Sequence, residues 1–298
     1  MALFAKTAAG AAAPTALQQR QKKAKQYKLL RAGVQAFFFL YMPGAFTAAF
    51  AGAKHIAQWL GQGQALQLDS FVQTLIFLCV CTVLFGRFFC GYVCAFGAFG
   101  DAVYALSGLL QKKLLRRKRQ FSLPEKCVSY AQKIKYGVLV VLLALCGASL
   151  YSALGGFSPW DVFARLGALK APASGYTLGC VLLALIAIGM MLHPRFFCQF
   201  LCPLGAIFSL LPILPAAHLQ RNSANCPAPC RACQMNCPVH LKLGQGEEGE
   251  CISCDACRDV CPRGNISRKF EPLGRAGAVI LKAGIMAAFG YLLGLSRL

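Results

Sequence analysis

Eight of the 17 cysteines fall within residues 226–261, and no other feature restricts the fold of this chain as strongly. The more C-terminal set covers residues 251–262 with the spacing Cys-x2-Cys-x2-Cys-x3-Cys-Pro. Two-residue gaps allow three thiolates from one loop to converge on a single 4Fe–4S cube, as in bacterial ferredoxins. This part of the chain is therefore predicted to bind iron–sulfur clusters.

A related set covers residues 226–238, and its first gap is one residue longer. In two-cluster ferredoxins the cysteine before proline binds the cluster of the other motif. The predicted ligands of one cluster are therefore Cys226, Cys230, Cys233 and Cys261, and those of the other are Cys251, Cys254, Cys257 and Cys237. A pair of zinc knuckles is the alternative, but zinc sites use ligands in separated pairs, which differs from this order.

Composition indicates that much of the remaining chain lies in lipid. Hydrophobic residues make up 57% of the 298 residues and charged residues only 14%, and few soluble folds bury that much apolar surface. The formal net charge of +21 does not indicate nucleic-acid binding, because the basic residues stand in short runs beside apolar segments. Thiolate ligands also imply a reducing compartment on the side of the cysteine-rich segment.

Five long apolar runs are candidate membrane spans, since about 20 apolar residues cross the hydrocarbon core. They are residues 32–53, 70–86, 136–157, 174–192 and 276–295. Pro43 is expected to kink the first run, and Lys282 interrupts the last. The predicted fold is therefore a mainly α-helical polytopic membrane protein with four or five transmembrane helices, plus a small bacterial-ferredoxin-like domain for two clusters.

Basic residues set the predicted orientation. Residues 20–31 hold six Lys or Arg, and residues 112–119 hold another six. Cytoplasmic loops are enriched in these residues, so the N-terminus and the cysteine-rich segment are predicted to face the cytoplasm of a multi-pass protein of the cell membrane. The predicted segments are a basic cytoplasmic stretch (1–31), a transmembrane domain (32–218), a cytoplasmic cluster domain (219–270) and a C-terminal apolar helix, expected to be a fifth span (271–298).

An internal repeat relates the two halves of the transmembrane domain. The sequence Arg-Phe-Phe-Cys-x3-Cys occurs at residues 87–94 and again at residues 195–202. Each copy ends an apolar run and precedes a short apolar stretch, residues 95–110 or 204–214, predicted to be a re-entrant or interfacial helix. The first four spans are therefore predicted to form duplicated hairpins inserted in the same direction.

The repeat supplies four more cysteines, Cys90, Cys94, Cys198 and Cys202. A three-residue gap places two thiols on one face of a helical turn, and the repeat brings two such pairs to equivalent depths. Four thiols near the inner interface could bind an iron–sulfur cluster, copper or another soft metal. The alternative is that they are free cysteines that pack short helices.

Polar residues near these motifs are further candidates. Arg87, Arg195 and the run 112–119 are interpreted as inner-face charges that set orientation, with docking of an acidic partner or anionic lipid as the alternative. Asp101 lies in an apolar stretch, where carboxylates are often functional, although it could face water at the interface. His193 adjoins the second motif and is expected to pack there, with contact to a quinone as the alternative.

The combination of motifs resembles the NapH/NosR-like polytopic membrane ferredoxins over about residues 28–268. Their shared pattern is four spans, Cys-x3-Cys-Pro motifs at inner span ends and a cytoplasmic two-cluster module. This sequence departs from the pattern at Ala95, which replaces the proline of the first motif, and in its fifth apolar run. The resemblance implies electron transfer between a quinone pool or cytoplasmic donor and an extracytoplasmic partner carrying flavin or haem, as in a quinol dehydrogenase subunit.

A copper reductase or assembly factor for a respiratory metalloenzyme is the alternative function. No Ser–His–Asp arrangement, P-loop or dinucleotide fingerprint is visible, so no substrate-transforming site is predicted. The expected cofactors are two 4Fe–4S clusters, with a further metal centre and a quinone or flavin as additional candidates. Membrane lipid and redox proteins are the expected partners, and nucleic acid is not.

Overall fold

The computed structural model describes residues 16–115, 125–151, 156–167, 170, 174–222, 226, 230–244 and 248–295. Helices dominate these residues, as predicted. They are α1 (Ala16–Tyr41), α2 (Ala45–Gly61), α3 (Ser70–Phe85), α4 (Ala95–Leu115), α5 (Glu125–Ala131), α6 (Ile134–Gly147), α7 (Pro159–Gly167), α8 (Thr177–Leu192), α9 (Phe196–Phe200), α10 (Pro203–Leu210), α11 (Ala232–Met235), α12 (Ala256–Val260) and α13 (Gly274–Leu292). A π-helical turn covers Phe89–Val93, and 3-10 turns cover Ser174–Tyr176 and Glu248–Glu250.

The first apolar run is bent at Pro43, as predicted. α1 ends before this proline, α2 begins after it, and the two helix axes meet at 62°. Proline lacks an amide hydrogen and its ring clashes with the preceding turn, so the helix breaks here. α2 then packs against α3 and α6. Gly52 permits the close approach to α3, because a Cβ at this position would overlap the carbonyl of Phe71.

Two helices in the described part of the chain are long and apolar enough to cross a membrane, Val128–Gly147, which includes α6, and α13. The bent α1–α2 pair meets the same condition when counted as one span. α3 and α8 have 16 residues each, and at ~1.5 Å per residue they reach about 24 Å, short of a ~30 Å hydrocarbon core. Among the described residues, two or three helices are thus of spanning length by this measure.

The two copies of the repeat have the same local order of elements. α3 leads into the π-helical turn and α4, and α8 leads into α9 and α10. The copies meet where α4 packs against α8 and where α10 packs against α2, and α10 also packs against α6 of its own copy. α4 extends to Leu115, beyond the predicted stretch 95–110. α6 ends at Gly147, well before the end of the predicted run 136–157, part of which lies outside the described residues.

Aromatic side chains form the core between the two copies. Phe96, which follows the first motif, and Phe197, within the second, have ring centroids 4.4 Å apart. Phe46 of α2 and Trp160 of α7 approach Phe197 at 6.0 and 6.5 Å. All four side chains are buried. The repeated cysteines lie directly beside this core.

The cysteine-rich segment is closed by two short strands. β1 (Leu219–Arg221) and β2 (Ile266–Arg268) pair antiparallel, so the start and end of the segment lie side by side. β2 leads to α13, where Arg275 donates to Asp259 at 2.6 Å and stacks on Tyr27 of α1 at 4.0 Å. The cysteine-rich segment and the first half of α1 therefore lie at the same end of the molecule.

Candidate metal centres

The structure brings the two Cys-x3-Cys pairs to one enclosed cavity, which we call the membrane cavity. Its lining includes Cys90, Cys94, Cys198, Cys202, Arg87, Phe46, Phe89, Phe96 and Phe197. None of the four thiols is in a disulfide. Cys202 also caps α10, because its sulfur accepts the backbone N–H of Gly205 at 3.2 Å. Four free thiols inside an aromatic wall form a soft, water-excluding donor set.

Arg195 ties the second motif to the first. Its guanidinium donates to both carboxylate oxygens of Asp101 in α4, at 2.7 and 2.6 Å, and to the carbonyl of Cys90 at 2.6 Å. Its Nη1 also lies 3.9 Å from the sulfur of Cys198. Arg31 of α1 donates to the same carboxylate at 2.7 Å. Asp101 is therefore shared by two arginines from different helices, and does not simply face water.

Arg87 makes the corresponding link from the first motif. Its Nη1 donates to the carbonyl of Gly249 and to Glu250 Oε2, both at 3.2 Å. Lys135 of α6 donates to the same oxygen, and Tyr136 donates to the other at 3.0 Å. Burial alone would raise the pKa of Glu250, but the charges of Arg87 and Lys135 outweigh it and the pKa is lowered. Glu250 is therefore an ionised carboxylate at neutral pH.

Each of these arginines reaches across to a glycine of the other copy. A Cβ on Gly97 would overlap Arg195 Nη1, and a Cβ on Gly205 would lie 3.1 Å from Arg87 Nη2. Both arginines are only 1% exposed. The alternative that Arg87 and Arg195 dock an acidic partner or anionic lipid is therefore wrong, because neither side chain reaches the surface. The two glycines occupy the same offset within the repeat, and this was the sequence signal for the contact.

His193 has the packing role expected of it. Its ring is 2% exposed and lies between Phe200 and His240, with centroids 5.3 and 5.0 Å away. Its Nδ1 lies 3.1 Å from the carbonyl of Pro194. His193 thus joins the end of α8 to the cysteine-rich segment.

The cysteines predicted to hold the second cluster line another enclosed cavity. They are Cys237, Cys251, Cys254 and Cys257, and Cys233 belongs to the same lining. Val239, Leu241 and Ile252 form its apolar wall. Burial raises the pKa of Cys237 to about 11 and that of Cys251 to about 12. A metal that binds these thiols must therefore displace their protons.

A strained loop positions Cys254. Its neighbours Ser253 and Asp255 have φ of 52° and 58°, in the left-handed region that costs non-glycine residues about 1–3 kcal/mol. Asp255 is buried and lies 3.0 Å from Arg268 Nη2, and its other oxygen accepts the Tyr92 hydroxyl at 3.4 Å. Tyr92 stands inside the first Cys-x3-Cys motif, so this carboxylate connects the loop to that motif.

Two cysteines of the other predicted cluster, Cys226 and Cys261, contact Arg221 and Asn265. Arg221 Nε donates to the sulfur of Cys226 at 3.3 Å, and the backbone N–H of Asn265 donates to that of Cys261 at 3.3 Å. The Asn265 side chain also lies 3.8 Å from the Cys226 sulfur. The hydrogen bond from Arg221 lowers the pKa of the partly exposed Cys226. Cys233 lies on the short helix α11, close after Cys230.

The cysteine-rich segment touches the first motif through a glycine. Gly91 lies between Cys90 and Cys94, and a Cβ there would overlap the carbonyl of Ile252 and lie 3.3 Å from the Cα of Cys254. Cys90 packs against the same hydrophobic cluster that contains Cys254. The membrane cavity and the cavity of the second cysteine set are therefore neighbours.

The donor chemistry fits iron–sulfur clusters. Within the described ranges, no three His, Cys, Asp or Glu side chains converge as a site for a single metal ion. Thiolates are the ligands of 4Fe–4S clusters, and each of the two enclosed cavities is lined by at least four cysteines. Arg87 Nε is buried beside the membrane cavity without a hydrogen-bond partner in the described residues, and cluster sulfur is a suitable acceptor.

A groove of about 1460 Å³ opens between α1, α4, α5 and the cysteine-rich segment. Residues such as Ala36 and Phe99 form an apolar wall, while Arg31, Gln35 and Asp101 contribute polar groups. Gln35 donates to Asp101 at 2.9 Å. No sequence pattern predicts this groove or the roles of Glu250 and Lys135, because all three depend on contacts between distant segments.

Fold and cavities together define a class of helical membrane protein whose repeated cysteine motifs adjoin a cysteine-rich segment. The chain matches the family described as "4Fe-4S binding domain" over residues 71–121 and 176–216. Each matched stretch contains one Cys-x3-Cys pair, and neither includes the eight C-terminal cysteines.

Similar proteins identify the family within this class. An uncharacterized protein of Methanocaldococcus jannaschii is 31% identical over 195 residues, which cover 65% of this chain and 69% of the relative. The ferredoxin-type protein NapH of Haemophilus influenzae is 25% identical over 230 residues, which cover 72% of this chain and 70% of NapH. The regulatory protein NosR of Pseudomonas aeruginosa is 28% identical over 191 residues, which cover 60% of this chain and 25% of NosR. No solved structure gave a significant match. The chain belongs to the NapH/NosR-like polytopic membrane 4Fe–4S ferredoxin family, which supports an iron–sulfur electron-transfer role.

Proposed function

We propose that the chain is a membrane-bound 4Fe–4S electron-transfer protein that links a quinone pool or cytoplasmic donor to an extracytoplasmic redox partner. The observation that carries this proposal is that both Cys-x3-Cys pairs line one cavity beside the cysteine-rich segment. That arrangement supports a third thiolate-bound centre next to the two C-terminal clusters, and so a row of carriers rather than an isolated ferredoxin.

Twelve cysteines would hold three centres. The sets are Cys226, Cys230, Cys233 and Cys261; Cys251, Cys254, Cys257 and Cys237; and Cys90, Cys94, Cys198 and Cys202. Such clusters supply one-electron transfer when bound, at potentials that depend on charge, hydrogen bonds to sulfur and exposure. The protein holds the thiolates, excludes water with aromatic walls and donates backbone N–H groups, such as that of Leu241 to the Cys237 sulfur at 3.4 Å.

The groove supports a quinol as the electron donor. A quinol has an apolar tail and two polar hydroxyl groups, which match the apolar wall and the polar side of the groove. Its oxidation to a quinone releases two electrons and two protons, so the protein must accept protons there. His240 lines the groove, and its imidazole can hold a proton.

Charge supports a cytoplasmic position for the cysteine-rich segment. Arg20 donates to the carbonyl of Pro262 at 2.6 Å, so the basic start of α1 lies beside this segment. Lys and Arg are enriched on the cytoplasmic side of membrane proteins. An extracytoplasmic partner would then meet the opposite end of the helices.

Metal analysis of the anaerobically purified full-length protein tests the proposal. About twelve irons and twelve acid-labile sulfides per chain are expected, against about eight of each for the cysteine-rich segment alone. Replacing both Cys198 and Cys202 with Ser should remove about four of each. Cys180→Ser is the matched control, since this α8 cysteine does not line the membrane cavity. Stoichiometric copper lost in the double variant would instead favour a copper reductase or assembly factor, and zinc without sulfide would overturn the redox assignment.

Blocking the groove tests the quinol donor. Ala102→Trp should place a large ring in the groove and slow cluster reduction by a soluble quinol at least ~10-fold, while reduction by dithionite stays unchanged. Leu109→Trp is the control, because Leu109 lies on the same helix but outside the groove. Equal quinol reduction rates in both variants would exclude this groove as the donor site.

A further inference from the structure

Two ion-pair groups flank the membrane cavity, and each contains two cations and one carboxylate. They are the Asp101 triad (Arg195, Asp101, Arg31) and the Glu250 triad (Arg87, Glu250, Lys135). Arg87 and Arg195 are 1% exposed and Lys135 is fully buried. Each triad therefore keeps one net positive charge, and the two together place two positive charges beside the cavity, although Arg31 and Asp101 are 19% and 27% exposed toward the groove.

Such charges need a negative partner, because an uncompensated ion in a low-dielectric interior is costly. A neighbouring ion-pair network contains equal numbers of arginines and carboxylates. There, three arginines (Arg258, Arg268, Arg275) meet three carboxylates (Asp255, Asp259, Glu271). By contrast, the positive excess of the two triads lies beside four thiols and no further carboxylate among the described cavity residues.

A 4Fe–4S core with a formal charge of +2 that is held by four thiolates carries a net charge of −2. We propose that the Asp101 and Glu250 triads compensate the charge of a dianionic tetrathiolate cluster in the membrane cavity, and thereby stabilise it and raise its reduction potential. This inference rests on the membrane centre proposed above. Reduction adds a third negative charge, and nearby positive charge favours that reduced form most strongly where the dielectric constant is low.

The outer cations of the triads allow a test that leaves the cavity lining intact. Arg31→Gln and Lys135→Gln each convert one triad to a neutral pair without changing a residue of the membrane cavity. Arg31→Lys and Lys135→Arg retain the charge. Lys54→Gln is a control, since Lys54 is an α2 cation that packs over Phe50 and Tyr151 instead of a triad. The midpoint potential of each centre would be measured by EPR-monitored titration of the full-length protein, with iron and sulfide content.

We expect both Gln variants to lower the potential of the membrane centre, or to lose that centre while retaining the two C-terminal clusters. The charge-retaining variants and Lys54→Gln should match the wild type. A fully loaded Arg31→Gln or Lys135→Gln protein with an unchanged potential would overturn the charge compensation alone. Iron and sulfide for only two clusters in the wild type would overturn the membrane centre itself, and this inference with it.

Discussion

Cys226 and Cys251 are both predicted cluster ligands, but their neighbours give the two thiols opposite properties. Arg221 donates a hydrogen bond to the sulfur of Cys226 and lowers its pKa, whereas burial raises the pKa of Cys251 to about 12. Cysteine spacing predicts which residues bind a cluster and carries no information about this difference. The thiolate is the reactive form of cysteine, so the difference is measurable in protein that lacks its clusters.

Alkylation of the cluster-free protein at pH 8 should therefore modify Cys226 first. Because a thiol with a pKa near 12 is ionised only about one part in 10⁴ at pH 8, we expect Cys226 to react at least ~10-fold faster than Cys251 with iodoacetamide. Peptide mass spectrometry measures both rates. Arg221→Gln should slow the alkylation of Cys226 and leave that of Cys251 unchanged. Equal alkylation rates for the two cysteines in the wild type would contradict the opposite pKa shifts assigned to them.

Gly97 and Gly205 leave the space that the buried side chains of Arg195 and Arg87 occupy. Gly97→Ala would push a methyl group into Arg195, which Asp101 holds in place, and overpacking of this kind costs about 1–3 kcal/mol. Gly205→Ala should lower the free energy of unfolding by less than Gly97→Ala does, since its Cβ would stay 3.1 Å from Arg87.

Thermal unfolding of the detergent-solubilised variants measures this difference. Gly137→Ala in α6 provides the control, because no atom lies within 4 Å of its Cβ position and no loss is expected. A Gly97→Ala protein as stable as Gly137→Ala would show that Arg195 moves aside freely.

Helices and motifs were predictable where the cause is local. Pro43 breaks the first apolar run through its own ring, and the cysteine motifs follow from spacing alone. Helix lengths were less predictable, because an apolar run does not end where its helix ends. α4 continues through Lys112 and Lys113, which are good helix formers, up to Leu115. The contacts of Arg87 and Arg195 join separate copies of the repeat, so neither copy alone predicts them.

Docking of the cysteine-rich segment depends on Gly91 in the π-helical turn. A methyl group here would strike the backbone of Ile252, and a rotamer change cannot relieve a backbone clash. We expect Gly91→Ala to destabilise this contact by about 3 kcal/mol and to expose the connection near residues 211–218 to protease. Gly284→Ala is the control, since its Cβ position in α13 is open. Equal digestion rates for the two variants would show that the segment does not dock through Gly91.

At the scale of the whole molecule, α6 separates two ends with different contacts. Lys135 near its start binds Glu250 of the cysteine-rich segment, and Gly147 at its end touches Gly61 of α2. Lys135 and Gly147 are 12 residues apart in α6, so these two contacts are separated by about 18 Å along the helix axis. The turn after α2 and the turns of the cysteine-rich segment therefore lie toward opposite ends of α6.

Two exposed glycine turns make this sidedness testable. Gly63 follows α2 and Gly244 lies in the cysteine-rich segment, with φ of 63° and 85° and open space around both Cβ positions. A short epitope inserted at either turn should therefore be tolerated. Because the basic start of α1 lies beside the cysteine-rich segment, we expect antibody to reach the Gly63 epitope on intact spheroplasts and the Gly244 epitope only after permeabilisation. Iron content close to that of the untagged protein would serve as the folding control for both insertions. Labelling of the Gly244 epitope on intact spheroplasts would reverse the proposed orientation, and with it the assignment of the clusters to the reducing side.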